Sequence, residues 1–359
     1  MSQPTVLSLF SGCGGLDLGF QNAGFRILAG VDTDPFAAAS HAVNFPDAEF
    51  YEGSVADFSE GVARVVLGSS LARGVDVLIG GPPCPPFSKS RFYRTDKPRA
   101  MHDPIGEVTI NGYLETLRWL KPKAFLLENV AGMAFKPHKP TLDYILASAK
   151  EAGYTCTTQV LNAADYGVPQ IRQRFFIVGL RRGATFEWPE PTHHDPAKET
   201  LFDRKPWRTA GTAIGDLDTE ENASDIGHVA GGKHRDLLKE IPPGDNYLYF
   251  TAKRGHPNPQ FEWRKRYWSF LLKLSPDLPA WTIQARRSNN MGPLHWRNRI
   301  LRIEEVKRLQ TFPDEWHLEG RVEQQWRQVG NAVPPMLAEQ LATQIRHAIN
   351  DEDTDKRAS

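Results

Sequence analysis

The chain has 359 residues, enough for one large domain or two, and its 43 Lys plus Arg balance 43 Asp plus Glu for a net charge of zero. That excludes attraction to a polyanion by bulk charge, so any nucleic-acid surface must come from local segregation. Three cysteines, Cys13, Cys84 and Cys156, are an odd number without metal-ligand spacing, which argues against both a disulfide framework and a zinc site and fits a reducing cytoplasm.

The N-terminus MSQPTVLSLF lacks a basic stretch followed by a long apolar core, and nowhere do eighteen apolar residues run together. Neither export nor a membrane span is expected, and the chain reads as a soluble intracellular protein. In chain order, TVLSLF (5–10), RILAGVD (26–32), VDVLIGG (75–81), KAFLLEN (123–129) and RFFIVGL (174–180) are short apolar runs that read as buried parallel strands. Between them, NGYLETLRWLKP (111–122) and TLDYILASAKEAGY (141–154) place apolar residues at three- and four-residue spacing and end in Pro or Gly, as helices do. Strand and helix in alternation predict an α/β doubly wound sheet.

After Leu180 the stretches EWPEPTHHDP, GHVAGGKHRD and EIPPGDNYLYFTAKRGHPNPQ supply turn residues and little periodicity, so a second, loop-rich domain is placed there. Order returns near Pro279 with PAWTIQ, a helix in RIEEVKRLQTF (302–312) and PPMLAEQLATQIRHAI (334–349), whose prolines sit at a helix start. The expected domains are residues 1–180, a middle domain 181–278, a C-terminal segment 279–349 that rejoins the first domain, and a small charged flexible tail at 350–359. Residues 251–308 hold thirteen Lys or Arg against four Asp or Glu, a candidate anion-facing surface. Within it KRGHPNPQFEWRKRYW (253–268) interleaves aromatic residues with Arg254, Arg264 and Arg266, which suits phosphate contact; a snorkelling surface around a small core is the alternative.

LFSGCGGLDLGF (9–20) follows the first strand, and its glycines let backbone approach a ligand before a helix begins. Asp32 ends the next strand, where a carboxylate can accept from ribose hydroxyls. Without a phosphate-cradling Lys-Ser/Thr ending, the pair suggests a phosphate-free nucleoside cofactor, with a plain tight turn as the alternative. Cys84 stands just past a strand end in GPPCPP, and Pro82, Pro83, Pro85 and Pro86 stiffen its backbone. Lys89, Arg91, Arg94, Lys97 and Arg99 follow and favour a thiolate. A stiff mount suits a nucleophile; a buried structural thiol is the other reading. Glu128 ends the strand AFLLEN, where a carboxylate either faces the cleft or is merely solvated. Arg172 and Arg174 share parity before the strand RFFIVGL, with a surface ion pair as the alternative. Cys13 and Cys156 read as packing residues, and His193 and His194 as loop residues with no metal.

Taken in order, the glycine loop, acidic strand end, Pro-Cys, Glu-Asn-Val and Gln-x-Arg-x-Arg motifs resemble the DNA cytosine-5 methyltransferases, and RILRIEEVKRLQTFPDEW (299–316) and QVGNAVPPMLAEQLA (328–342) are similar to that family's last two motifs. The resemblance implies a Rossmann-like S-adenosylmethionine-dependent methyltransferase sheet with a smaller, loop-rich target-recognition domain. It implies transfer of a methyl group to C5 of a cytosine flipped out of double-stranded DNA, through an adduct between Cys84 and C6. Glu128 would protonate N3, Arg174 with Arg172 in support would bind the base oxygen or a phosphate, and no metal takes part. Cofactor contacts carry over to Phe10, Gly12, Gly14, Leu16, Asp32, Pro83, Asn331 and Val333. Ser88, Lys89, Ser90 and Arg91 match the mobile loop that closes over the flipped nucleotide. Departures are Pro85 where the family has Gln, Asp32 where Glu is more usual, and Ser54 where an Asp often meets the adenine amine, with Asp57 three residues on. The length suggests a monomeric bacterial modification enzyme that shares its recognition sequence with a cognate restriction endonuclease without necessarily contacting it. Two rivals stand beside this reading. A tRNA cytosine-5 methyltransferase would carry a Cys-Phe-Thr tripeptide absent here, and an inactive DNA-binding relative would have lost Cys84, Glu128 or an arginine of the pair.

Overall fold

The computed structural model describes residues 3–83, 101, 103–181, 186–199, 202–218 and 228–358, with the side chains of 351–358 left out. Cys84, Ser88, Lys89, Ser90 and Arg91 lie outside the described residues.

Seven strands form the central sheet: β1 (Thr5–Leu9), β2 (Arg26–Asp32), β3 (Glu49–Glu52), β4 (Val77–Gly80), β5 (Ala124–Val130), β6 (Tyr154–Asn162) and β8 (Gln173–Arg181), with the two-residue strand β7 (Gln170–Ile171) standing apart. Their order is β3-β2-β1-β4-β5-β8-β6. The core strands are apolar at almost every position because both faces are covered. Val6, Val77, Ile79, Leu126 and Val178 point into one core, whereas Leu7, Leu9, Leu78, Phe125 and Ile177 point into the other.

The first five strands run parallel. β8 does not: it pairs antiparallel with both β5 and β6, which corrects the expectation that RFFIVGL is a parallel strand. The link from β6 to β8, residues 163–172, is too short for a crossover helix, so the chain returns as a hairpin. Strands β3 and β6 close the two edges and escaped the apolar-run reading, since their sequences EFYE and YTCTTQVLN alternate or carry polar residues.

Helices α1 (Gly15–Asn22), α2 (Pro35–Asn44), α3 (Glu60–Leu67), α4 (Ser69–Ala72), α5 (Pro104–Leu120) and α6 (Lys139–Glu151) join these strands. Gly14 caps α1 in the left-handed region at φ 85°, and a Cβ there would collide with the Phe45 ring. Inside the turn, Ser8 on β1 donates to Asp17 at 3.0 Å, and Asp17 also meets His41 of α2 at 3.3 Å, all three fully buried. This polar trio ties strand to both helices.

The described residues between 186 and 301 are mostly irregular: a parallel pair β9 (His193–His194) and β10 (Lys205–Pro206), short helices α7 (Ala210–Ile214) and α8 (Arg235–Glu240), and the two-residue strand β11 (Ala280–Trp281). Their interior, built on Tyr247, Phe250, Phe270 and Leu294, is continuous with one face of the sheet. Helices α9 (Ile303–Leu309), α10 (Val322–Asn331) and α11 (Pro335–Ala358) complete the chain. They return to the beginning: α11 lies along α1, Ser40 of α2 donates to Gln328 of α10 at 2.7 Å, and Asn44 exchanges two bonds with the His317 backbone at 2.9 and 3.1 Å. No helix among the described residues is long and apolar enough to cross a membrane.

Candidate active site

In the order 3-2-1-4-5 the chain reverses direction of growth between β1 and β4, and the crevice beyond their carboxyl ends is where such sheets hold ligands. A cleft of about 1010 Å³ opens there. Phe10, Gly12, Leu16, Asp32 and Pro83 line it from the first half, Asn331 from the last position of α10 and Val333 from the segment that follows. Of the residues matched to cofactor contacts only Gly14 stays out of the lining; it shapes the turn from behind.

The backbone of that turn is bent by Phe10 and Gly12 at φ 55° and 53°. A phenylalanine in the left-handed region carries strain of the order of 1 kcal/mol, retained here at the cleft wall. Asp32 holds the turn from the neighbouring strand: one carboxylate oxygen accepts from Gly12 N–H at 2.9 Å and the other from Asp34 N–H at 3.0 Å. Burial pushes its carboxyl above the ordinary range, and these N–H bonds oppose the shift.

Ser54 stands at the position compared above with the family's adenine contact; several other lining residues have no motif signal. Ser54 and Val55 enter from the loop after β3, Ile105 and Val108 from the first turns of α5, and Arg327 from α10. Asp103-Pro104 does mark that helix start, since Asp103 caps it by accepting from Ile105 N–H at 3.0 Å. Ser54 lines the cleft whereas Asp57 is exposed and does not. Across the mouth, Arg327 reaches Asp34, the cap of α2, at 2.7 Å.

Glu128 shares the same cleft and is only 4% exposed. It lies two residues before the end of β5, near the carboxyl edge beside Gly81; a Cβ at Gly81 would press on its carboxylate at 3.0 Å, which explains the second glycine of GGPP. Arg174 of β8 brings its Nε to 2.8 Å from Glu128 Oε1. Burial raises the Glu128 pKa, and the charges of Arg174 and Arg172 pull against that rise. Asn129 braces the loop: its amide donates to the Pro82 carbonyl at 3.1 Å, two residues before Cys84.

Arg172 and Arg174 share parity but not surroundings. Arg172 is fully buried and donates to the carbonyls of Ile283 at 2.9 Å, Gly330 at 2.8 Å and Ala332 at 2.9 Å. It binds β8 to the strand region after β11 and to the segment carrying Asn331 and Val333. Gln170 assists, accepting from Ile283 N–H at 3.0 Å and donating to the Leu309 carbonyl at 3.1 Å.

The three arginines of the basic segment are not among the residues lining this cleft. Arg254 pairs bidentately with Asp245 at 3.1 and 2.7 Å, while Arg264 and Arg266 lie over the rings of Trp263 and Phe270 at 5.6 and 5.2 Å. Burial raises Cys156 to about 11 and drives Cys13 higher still, which keeps both as thiols. His193 and His194 sit on β9, bonded to Thr192 and to the Asp195 carbonyl, and among the described residues no group of three His, Cys, Asp or Glu is placed to hold a metal.

The family model for C-5 cytosine-specific DNA methylases matches residues 4–347. Among characterised sequences, the Type II methyltransferase M.SacI of Streptomyces achromogenes is 38% identical over 358 positions, covering 92% of this chain and 90% of that protein. The Type II methyltransferase M.XorII of Xanthomonas oryzae pv. oryzae is 30% identical, covering 97% and 86%. Among solved structures, a putative DNA modification methyltransferase from an E. coli prophage superposes with a TM-score of 0.70 at 20% identity, covering 97% of this chain and 99% of that one. The S. pombe Dnmt2 methyltransferase does so with 0.64 at 14% identity, covering 97% and 100%. At these identities the two structures bear on the fold alone.

Proposed function

We propose, from the premise that this chain belongs to the C-5 cytosine-specific DNA methylase family, that it methylates C5 of a flipped-out cytosine within a specific double-stranded DNA sequence, using S-adenosylmethionine. The observation that carries the reading is one cleft holding both the glycine turn with Asp32 and the buried Glu128, whose neighbouring loop leads directly to Cys84.

The cleft suits the cofactor. Its walls are apolar at Phe10, Leu16 and Val333, Asp32 offers carboxylate oxygens at the place for ribose hydroxyls, and the turn has no lysine for a phosphate. S-adenosylmethionine bound there supplies an electrophilic methyl group on sulfonium. The chain's own residues must make C5 nucleophilic, because the cytosine ring is aromatic and electron-poor. Cys84 adds as thiolate to C6. Glu128, whose pKa its burial raises, gives a proton to N3, so the electron pair displaced by addition settles in a neutral enamine rather than a ring anion. C5 then takes up the methyl group, its own proton leaves to a base, the C6–sulfur bond breaks to expel the Cys84 thiolate, and N3 returns its proton to Glu128 as the aromatic ring is restored. Arg174 orients Glu128 and stands beside the base oxygen; Arg172 positions the segment that carries Asn331 and Val333.

A target base must leave the helix before sulfur can reach C6. Ser88, Lys89, Ser90 and Arg91 would close over it, and residues 181–278, with Arg254, Arg264 and Arg266, would read the duplex. The naming of its relatives as Type II methyltransferases supports a role in protecting host DNA from an endonuclease of the same specificity; a monomer in the bacterial cytoplasm completes the proposal.

The decisive experiment incubates the protein with mixed-sequence duplex DNA and S-adenosylmethionine and maps 5-methylcytosine by sequencing. A single methylated sequence context is expected, lost in Cys84→Ser. Methyl transfer to RNA alone, or to an exocyclic amine, overturns the proposal.

A further inference from the structure

We infer that Tyr267 and Trp268 form a preformed aromatic platform that stacks on an unstacked base of duplex DNA next to the extruded cytosine, an inference that rests on the DNA reading above and adds a surface to it. Both rings stand in solvent, 60% and 53% exposed. Their neighbours Tyr247, Phe250, Phe261 and Phe270 pack edge to face in a cluster below.

The exposure is held in place. The Tyr247 hydroxyl, on a ring that is 1% exposed, donates to the Arg266 carbonyl at 2.9 Å and accepts from Arg266 N–H at 3.2 Å. The fully buried Asn246 donates to the Trp268 carbonyl at 2.8 Å. Two buried polar side chains therefore grip the backbone on both sides of Tyr267, and the ordering cost of presenting these rings is met before any ligand arrives.

Charge selects the ligand. Residues 253–268 contain five Lys or Arg against Glu262 alone. Lys253 and Arg264 lie over the Trp263 ring at 4.6 and 5.6 Å and Arg266 over Phe270 at 5.2 Å. Cations held on ring faces keep N–H donors for phosphate, while Arg254 is committed to Asp245. Exposed flat rings within a cation-rich segment match the base faces and phosphates of a nucleic acid better than an apolar protein partner.

Position links the platform to the chemistry. The Trp268 ring stands edge-on to Trp281 at 5.8 Å. Trp281 belongs to β11 and pairs with Ile171 of β7, immediately before Arg172 and three residues before Arg174. A base drawn out of the stack leaves its neighbours without a partner, and an aromatic side chain replaces the contact they lose.

The test measures DNA KM, salt dependence and fluorescence of 2-aminopurine placed beside the target cytosine, for wild type, Trp268→Ala, Trp268→Phe, Tyr267→Ala and Arg266→Ala. Direct cofactor binding reports folding and should stay at the wild-type level throughout. Trp268→Ala should raise DNA KM about 10- to 100-fold and brighten the 2-aminopurine, with Phe restoring most of the loss. Its slope of log KM against log salt should match wild type, whereas Arg266→Ala should reduce that slope by about one. The inference is overturned if both alanine variants keep KM within twofold of a methylating wild type, or if Trp268-dependent binding appears with single-stranded RNA and not duplex DNA. Should wild type methylate no DNA, the parent reading fails, and the 2-aminopurine signal on bound duplex still decides the platform.

Discussion

In the proposed mechanism Glu128 serves as the acid: it is buried near the end of β5, raised in pKa by that burial, and restrained by one arginine at 2.8 Å. The protonated form is the competent one, so the rate of transfer should fall as pH climbs through the raised pKa; a general base at this place would give the opposite limb. Glu128→Gln keeps the shape and loses the proton, and single-turnover transfer should drop about 10²- to 10⁴-fold with cofactor binding intact. A rate within tenfold of wild type would remove the acid from the mechanism. Arg172 behaves differently, since its guanidinium satisfies three backbone carbonyls at 2.8 to 2.9 Å at full burial. Lysine cannot reproduce that fork. Arg172→Lys should cost about 3 kcal/mol in urea unfolding as carbonyls lose their partners, and weaken cofactor binding through Asn331 and Val333. Wild-type stability with a selective loss of DNA affinity would instead make Arg172 a direct substrate contact.

At the level of elements, α1 and α11 are the pair on which the cleft depends, because α1 begins at the glycine turn and α11 follows Val333 directly. Gly19 lets them touch: a Cβ there would collide with Ala338 and lie 2.6 Å from the Glu339 backbone. Gly19→Ala gains helix propensity on paper, yet overpacking dominates, and a loss of about 1–3 kcal/mol by chemical denaturation is expected. An unchanged or raised midpoint would mean that the helices part without cost. Hairpin closure into β8 matters in the same way, since only an antiparallel β8 sets Arg174 opposite Val130, next to Glu128 in β5.

Across the whole molecule, the two ends of the chain build one site. Asp32 and Phe10 meet Asn331 and Val333 in a single cleft, Asp34 meets Arg327, and Trp316 donates to the Cys13 carbonyl at 3.2 Å. A chain ending at residue 320 should therefore bind no cofactor and expose the core face that α11 covers, measured by calorimetry and dye binding. A soluble fragment 1–320 that binds cofactor as the full chain does would show that the C-terminal segment is dispensable.

The apolar runs of β1, β2, β4 and β5, the glycine turn and Glu128 near the end of β5 were legible in the sequence because each is a local signal: hydrophobic burial on two faces and left-handed backbone are written within a dozen residues. The edge strands β3 and β6 were not, for an edge buries too little to leave an apolar run. Tertiary structure alone decided the reversed direction of β8, the burial of Arg172 beneath carbonyls some 110 to 160 positions away, and the entry of Ile105, Val108 and Arg327 into the cleft. Those contacts follow from how layers pack and where loops return, and loop closure over such separations leaves no periodicity or spacing in the chain to read.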